Sequence, residues 1–184
     1  RFVVGGRLWQ RHGVWITFSA KQEILPGSPL LTIKREFLES EDLDGMVEDI
    51  LSNIRSRRRG KKTTSDKEMN LASRMPPWAT LLAVKFLKLM NRIGALPKGM
   101  IDSDPLYTSL FVANLGSVGL DAGYHHLWEY GTCSAFAVMG RLKQRHDGVS
   151  VFEVQYTYDE RMEDGLYGGL AMANIKKLVE SPEM

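Results

Sequence analysis

Cysteine, net charge and long apolar runs are all scarce in this chain, and each shortage excludes a class of function. A single cysteine among 184 residues, Cys133, permits no intrachain disulfide and no thiolate metal cage built by this chain alone. A reducing, cytoplasmic setting is therefore expected. The formal charge of +2 falls far short of the clustered basic surface that a phosphate backbone requires, so nucleic acid is not an expected partner. A basic start followed by an apolar stretch and a small-residue cleavage site is also missing. Arg1 and Phe2 read like the middle of a strand without an initiating methionine, so an earlier part of the same domain is expected to be absent.

What is present fits one ordinary core. Hydrophobic residues make up 43% and charged residues 25% of the chain, the balance of a single globular domain over residues 1–184. "VWITFSA" from Val14 and "LLTIK" from Leu30 predict two strands, set off by Pro26, Gly27 and Pro29. Leu43, Met46, Val47, Ile50, Leu51 and Ile54 fall on one helical face that packs against something. Acidic residues open that helix, and the basic cluster Arg55, Arg57 to Arg59, Lys61 and Lys62 closes it, as the helix dipole favours.

Polar residues 61–73 read as a loop. A second helix then starts at Pro76 and Pro77 and ends at Gly94. Its apolar run is interrupted by Lys85, Lys88 and Arg92 and is too short to span a bilayer. It is expected to be buried between elements or subunits, with a membrane-surface helix as the second reading. "LYTSLFV" from Leu106 predicts a strand, and "CSAFAVMG" from Cys133 a central one. The alternation from Val149 to Tyr158 predicts one further strand, with an Asp147-Gly148 hairpin before it. Leu166, Leu170, Ala173, Lys177 and Leu178 predict a last helix, ended by Ser181 and Pro182. The order gives an α+β fold, a mixed sheet covered by helices.

Four groups of residues carry candidate chemistry. "NLGSVG" from Asn114 lacks both the P-loop and the dinucleotide fingerprint and predicts a tight turn. His125 and His126, being adjacent, would face opposite ways on a strand or diverge by about 100° on a helix. Together they do not chelate one metal, and no metal site is expected, although either could act as a general base. Cys133 reads as a buried small hydrophobe. "YDERMEDG" from Tyr158 gathers Asp159, Glu160, Glu163 and Asp164 around Arg161. It predicts either an acid/base pair or an Arg161 salt bridge ahead of a helix start.

"VANLGSVG" and "YTYDERMEDGLYGG", followed by the final helix and "ESPEM", resemble the catalytic domain of the dihydrolipoamide acyltransferases of 2-oxoacid dehydrogenase complexes, relatives of chloramphenicol acetyltransferase. In that family a strand ends in Ser-Asn-Leu-Gly, and the last strand runs into Asp-His-Arg-x-x-Asp-Gly. The likeness is best from about Leu110 to Glu183 and weaker from Val14 to Lys62, and residues 73–105 look like a helical insertion. It implies a two-layer α/β sandwich and a homotrimer with sites between subunits. It also implies coenzyme A or acyl-CoA as substrate, a lipoyl group or another thiol as acceptor, and other components of a dehydrogenase complex as partners.

Residue by residue, the resemblance puts Glu160 where the family has its general-base histidine and Ala113 where it has the serine that binds the oxyanion. Loss of one oxyanion donor costs about 100- to 1000-fold in rate. A glutamate is a weak base unless its pKa is raised. Asp159, Arg161, Asp164 and Gly165 match the supporting scaffold, as do Asn114, Leu115 and Gly116 at the turn. The expected function is an acyltransferase-type protein with altered or lost catalysis. Glu160, Asp164, His125 and His126 would be its candidate catalytic residues, and Asn114 and Gly116 would lie on its substrate side. The alternative is a noncatalytic trimeric scaffold or ligand-binding pseudoenzyme.

Overall fold

Two short strands, β1 (Phe2–Val4) and β2 (Arg7–Trp9), pair antiparallel at the start of the chain. Gly5 and Gly6 join them with φ of 61° and 74°, and a two-residue hairpin of this kind needs that left-handed backbone. The Gly-Gly pair was the signal for this hairpin, which the sequence reading did not include. The computed structural model describes residues 1–23, 25–60 and 74–181. Lys61, Lys62, the polar loop 61–73, the start of the expected insertion and the Pro182 stop lie outside the described residues.

β3 (Val14–Lys21) and β4 (Leu30–Phe37) form an antiparallel pair, and helix α1 (Leu43–Arg58) follows. The Asp42 side chain caps α1 by accepting from the Gly45 N–H, one of the donors that a helix start leaves without a partner. Helices α2 (Pro77–Arg92) and α3 (Lys98–Ser103) lead to β5 (Leu110–Asn114), a single 3-10 turn (Gly116–Val118) and β6 (Ala135–Met139). A small hairpin of β7 (Lys143–Gln144) and β8 (Ser150–Val151) precedes β9 (Val154–Tyr158) and the last helix, α4 (Gly165–Glu180).

The main sheet runs β4-β3-β5-β6-β9, with β5 parallel to both β3 and β6 and with antiparallel strands at each edge. This is the expected mixed sheet with helices. β6 is interior, as its unbroken apolar sequence predicts. The expected run Val149–Tyr158 splits in two. β8 pairs with β7 and β9 with β6, so the chain changes partner at Phe152 and Glu153. The Asp147-Gly148 turn therefore closes the β7–β8 hairpin and does not link two strands of the main sheet.

The core lies on β5 and β6. Phe111, Cys133, Phe136 and Val138 are buried together, with Leu106, Ala113, Leu115, Leu127 and Trp128 packed around them. Register sets Phe111 beside Phe136, and their rings stack at 5.1 Å and 18°. Thr17 on β3 and Thr108 ahead of β5 are fully buried. Their hydroxyls donate to the carbonyls of Pro105 and Trp15, so burial leaves no polar group without a partner there.

The helices cover the sheet less than expected. α1 turns Met46, Ile50, Ile54 and Arg57 inward, while Leu43, Val47 and Leu51 of its predicted apolar face are exposed. α4 touches the sheet through Gly168, where a Cβ would meet the Tyr158 ring at 2.5 Å. Leu166, Leu170 and Leu178 point outward. No residue of α2 is buried, which corrects the expectation that the chain's own elements enclose it.

Candidate functional site

The junction after β9 is built from its own carboxylates. Asp159 continues from β9, where its N–H donates to the Ser134 carbonyl. Its carboxylate accepts from the Arg161 backbone N–H at 3.0 Å, from Arg161 Nε at 2.8 Å and from an Arg161 terminal nitrogen at 2.6 Å. The guanidinium holds the Asp159 carboxyl below the usual carboxylate range, against the opposing effect of partial burial. Asp164 caps α4 by accepting from the Tyr167 N–H at 2.9 Å, and Glu163 pairs with Arg1. The expected salt bridge ahead of a helix start is therefore present.

Glu160 sits on the outer side of this turn. Its Oε1 lies 3.7 Å from where a Gly165 side chain would begin. A side chain at the first position of α4 would therefore only touch the carboxylate. Glu160 lines a cleft of about 460 Å³ together with Tyr124, His125, His126, Tyr156, Thr157 and Tyr158.

The two histidines reach this cleft from an irregular segment between the 3-10 turn and β6. Because that segment is neither strand nor helix, the expected divergence of adjacent side chains does not hold. Their rings lie nearly parallel, at 5.0 Å and 15°. His125 also lies flat on Phe136 at 4.2 Å and 9°, so the aromatic core extends directly into the cleft. His125 Nδ1 is 2.6 Å from the His126 carbonyl oxygen. A carbonyl only accepts, so Nδ1 carries a proton, and in the neutral ring Nε2 is the nitrogen with the lone pair that a base requires.

The turn "NLGSVG" serves the fold. Asn114 Oδ1 accepts from the Ser117 N–H, and the Ser117 hydroxyl donates to the Asn114 carbonyl. Gly119 closes the turn with φ of 79°. A Cβ on Gly116 would meet the Gly140 carbonyl oxygen at 2.4 Å, so two backbone segments touch there. Asn114 and Gly116 line neither this cleft nor the larger cavity described below. Ala113 packs against the apolar cluster. Cys133 is buried, and burial pushes its thiol up to about 11, which makes it the inert small hydrophobe expected.

A larger cavity, about 690 Å³, lies against the β1–β2 turn and is bordered by Lys88, Arg92, Glu129 and Arg161. It contains cations, Glu129 and Tyr130 but no imidazole, so the smaller cleft is the better candidate for proton transfer near neutral pH. Sequence reasoning missed Tyr124, Tyr156, Thr157 and Tyr158 as cleft residues. Tyr156, Tyr158 and Glu160 are spaced by two, and a strand ending in a turn carries such residues along one side. That spacing was the available signal. Among the described residues no cluster of three histidine, cysteine or carboxylate side chains could hold a metal ion.

No protein-family model and no curated protein sequence matches the chain. Solved structures do. The probable dihydrolipoamide acetyltransferase of Listeria monocytogenes 4b F2365 superposes with a TM-score of 0.55 at 16% identity, over 98% of this chain and 61% of that one. The dihydrolipoamide acetyltransferase of Azotobacter vinelandii gives 0.55 at 13%, over 96% and 58%. The truncated catalytic core of the Thermoplasma acidophilum 2-oxoacid dehydrogenase multienzyme complex gives 0.56 at 14%, over 100% and 65%. The chain thus spans less than two thirds of each of these structures. On this evidence of shape, the chain has the fold of the dihydrolipoamide acetyltransferase catalytic cores.

Proposed function

We propose that the protein is an acyltransferase acting on acyl thioesters, with coenzyme A as donor or leaving group and a lipoyl-type thiol as acceptor. The observation that carries this reading is the cleft that brings His125, His126 and Glu160 together. His125 Nε2 takes the proton of the acceptor thiol as its sulfur attacks the thioester carbonyl. The tetrahedral intermediate then collapses, the carbon–sulfur bond to coenzyme A breaks, and the imidazolium returns the proton to the leaving thiolate. Glu160 lines the same cleft and adds a carboxylate to it. Asp164 supports the junction as a helix cap.

In the Azotobacter vinelandii enzyme a histidine and an asparagine four positions apart have a role in catalysis. Glu160 and Asp164 keep that spacing here, which supports placing the reaction at this junction. Assembly as a homotrimer within a dehydrogenase complex, with residues 73–105 as an insertion, belongs to the same reading.

The test is acyl transfer from acyl-CoA to dihydrolipoamide by the whole protein. His125→Phe keeps the ring stack on Phe136 and removes the base, so turnover should fall about 100-fold or more. Loss of turnover in Glu160→Gln but not in His125→Phe would move the base to Glu160. A second reading, a noncatalytic scaffold, is favoured by Ala113, whose methyl cannot donate to an oxyanion. Complete inactivity without coenzyme A binding would leave only that reading.

A further inference from the structure

Residues 74–101 contain none of the chain's 22 carboxylates but do contain Arg74, Lys85, Lys88, Arg92 and Lys98. Most of this segment is α2, sixteen residues without a buried side chain. The charged residues of α2, Lys85, Lys88 and Arg92, are thus all cations.

The apolar residues of α2 fall on more than one face, with Leu81 and Val84 exposed outside two main sets. Ala79, Ala83, Leu87 and Met90 are partly buried toward the body of the protein. Trp78, Leu82, Phe86, Leu89 and Ile93, spaced i, i+4, i+8, i+11 and i+15, form a second stripe, and each is 55% to 71% exposed. Lys85, Lys88 and Arg92 run beside that stripe, and Lys88 and Arg92 also border the larger cavity. The helix thus presents an aromatic and aliphatic stripe edged by cations.

We propose that α2 docks the protein on the surface of an anionic lipid bilayer. Charge complementarity chooses this occupant. A second copy of α2 would bring one cationic edge against another without a carboxylate to offset it, whereas an acidic headgroup layer neutralises the edge while the stripe enters the acyl boundary. Trp78 and Phe86 suit that depth, since aromatic rings sit at the boundary of headgroup and chain. The helix lies flat in the interface, and no helix among the described residues is long and apolar enough to cross a membrane. Docking this way does not depend on what the cleft catalyses.

The experiment is co-sedimentation of the whole protein with vesicles of phosphatidylcholine alone and of phosphatidylcholine mixed with phosphatidylglycerol. The mixed vesicles should bind it at least about tenfold more tightly, and salt should weaken that binding. Leu82→Gln combined with Phe86→Gln should reduce binding about tenfold or more. Both side chains are exposed, so the circular dichroism spectrum and melting temperature should not change. Lys85→Glu should narrow the preference for the mixed vesicles. No binding to mixed vesicles, or equal binding by the double variant, overturns the proposal. So does preference for a soluble acidic amphipathic peptide over the vesicles.

Discussion

Lys34 shows how a single residue ties the second half of the fold to the sheet. It lies on β4, with its ammonium 5.2 Å from the centre of the Trp15 ring. Its Nζ donates to the carbonyls of Ile101 at 2.6 Å and Asp104 at 3.2 Å, around the end of α3. Burial, reinforced by the nearby Arg11, lowers its pKa to about 8. The folded chain therefore holds fewer protons than the unfolded chain between about pH 8 and 10.5, and stability should rise with pH across that window. The rise should be at most about 3 kcal/mol. Urea melts of wild type and Lys34→Met at several pH values check this, with the rise absent in the variant. A flat wild-type profile would show that the amine is better solvated than its position implies.

At the scale of elements, α4 offers two neighbouring glycines with opposite expectations. A Cβ at Gly168 meets the Tyr158 ring at 2.5 Å, while one at Gly169 meets nothing within 4 Å. Gly168→Ala should destabilise by about 1–3 kcal/mol through overpacking. Gly169→Ala should stabilise by about 0.5–1 kcal/mol, because alanine is the better helix former. Thermal melts of the two variants should move in opposite directions.

Elements with local signals were the ones legible in the sequence. The acidic start of α1, the Pro77 start of α2 and the apolar run of β6 all depend on near neighbours, and each appears where its residues indicate. Boundaries set by distant partners were not legible. β5 starts at Leu110 and not at Leu106, because Thr108 and Ser109 first bond to the backbone of Trp15. Half of the α1 face and the outward leucines of α4 looked like core, since periodicity reports an apolar face and not what covers it. The cleft was legible only in pieces. Glu160, His125 and His126 were each evident, but their meeting depends on an irregular segment folding back over Phe136.

For the whole molecule, the proposed homotrimer has a direct hydrodynamic signature. Sedimentation equilibrium should find a species near three times 20.8 kDa. A stable monomer across the accessible concentration range would contradict the trimer. The account rests most heavily on the cleft that joins His125 to Glu160, and acyl transfer from acyl-CoA to dihydrolipoamide measures it directly. Wild type should turn over, and His125→Phe should lose about 100-fold or more in kcat with little change in melting temperature. Equal turnover in the two proteins would contradict it.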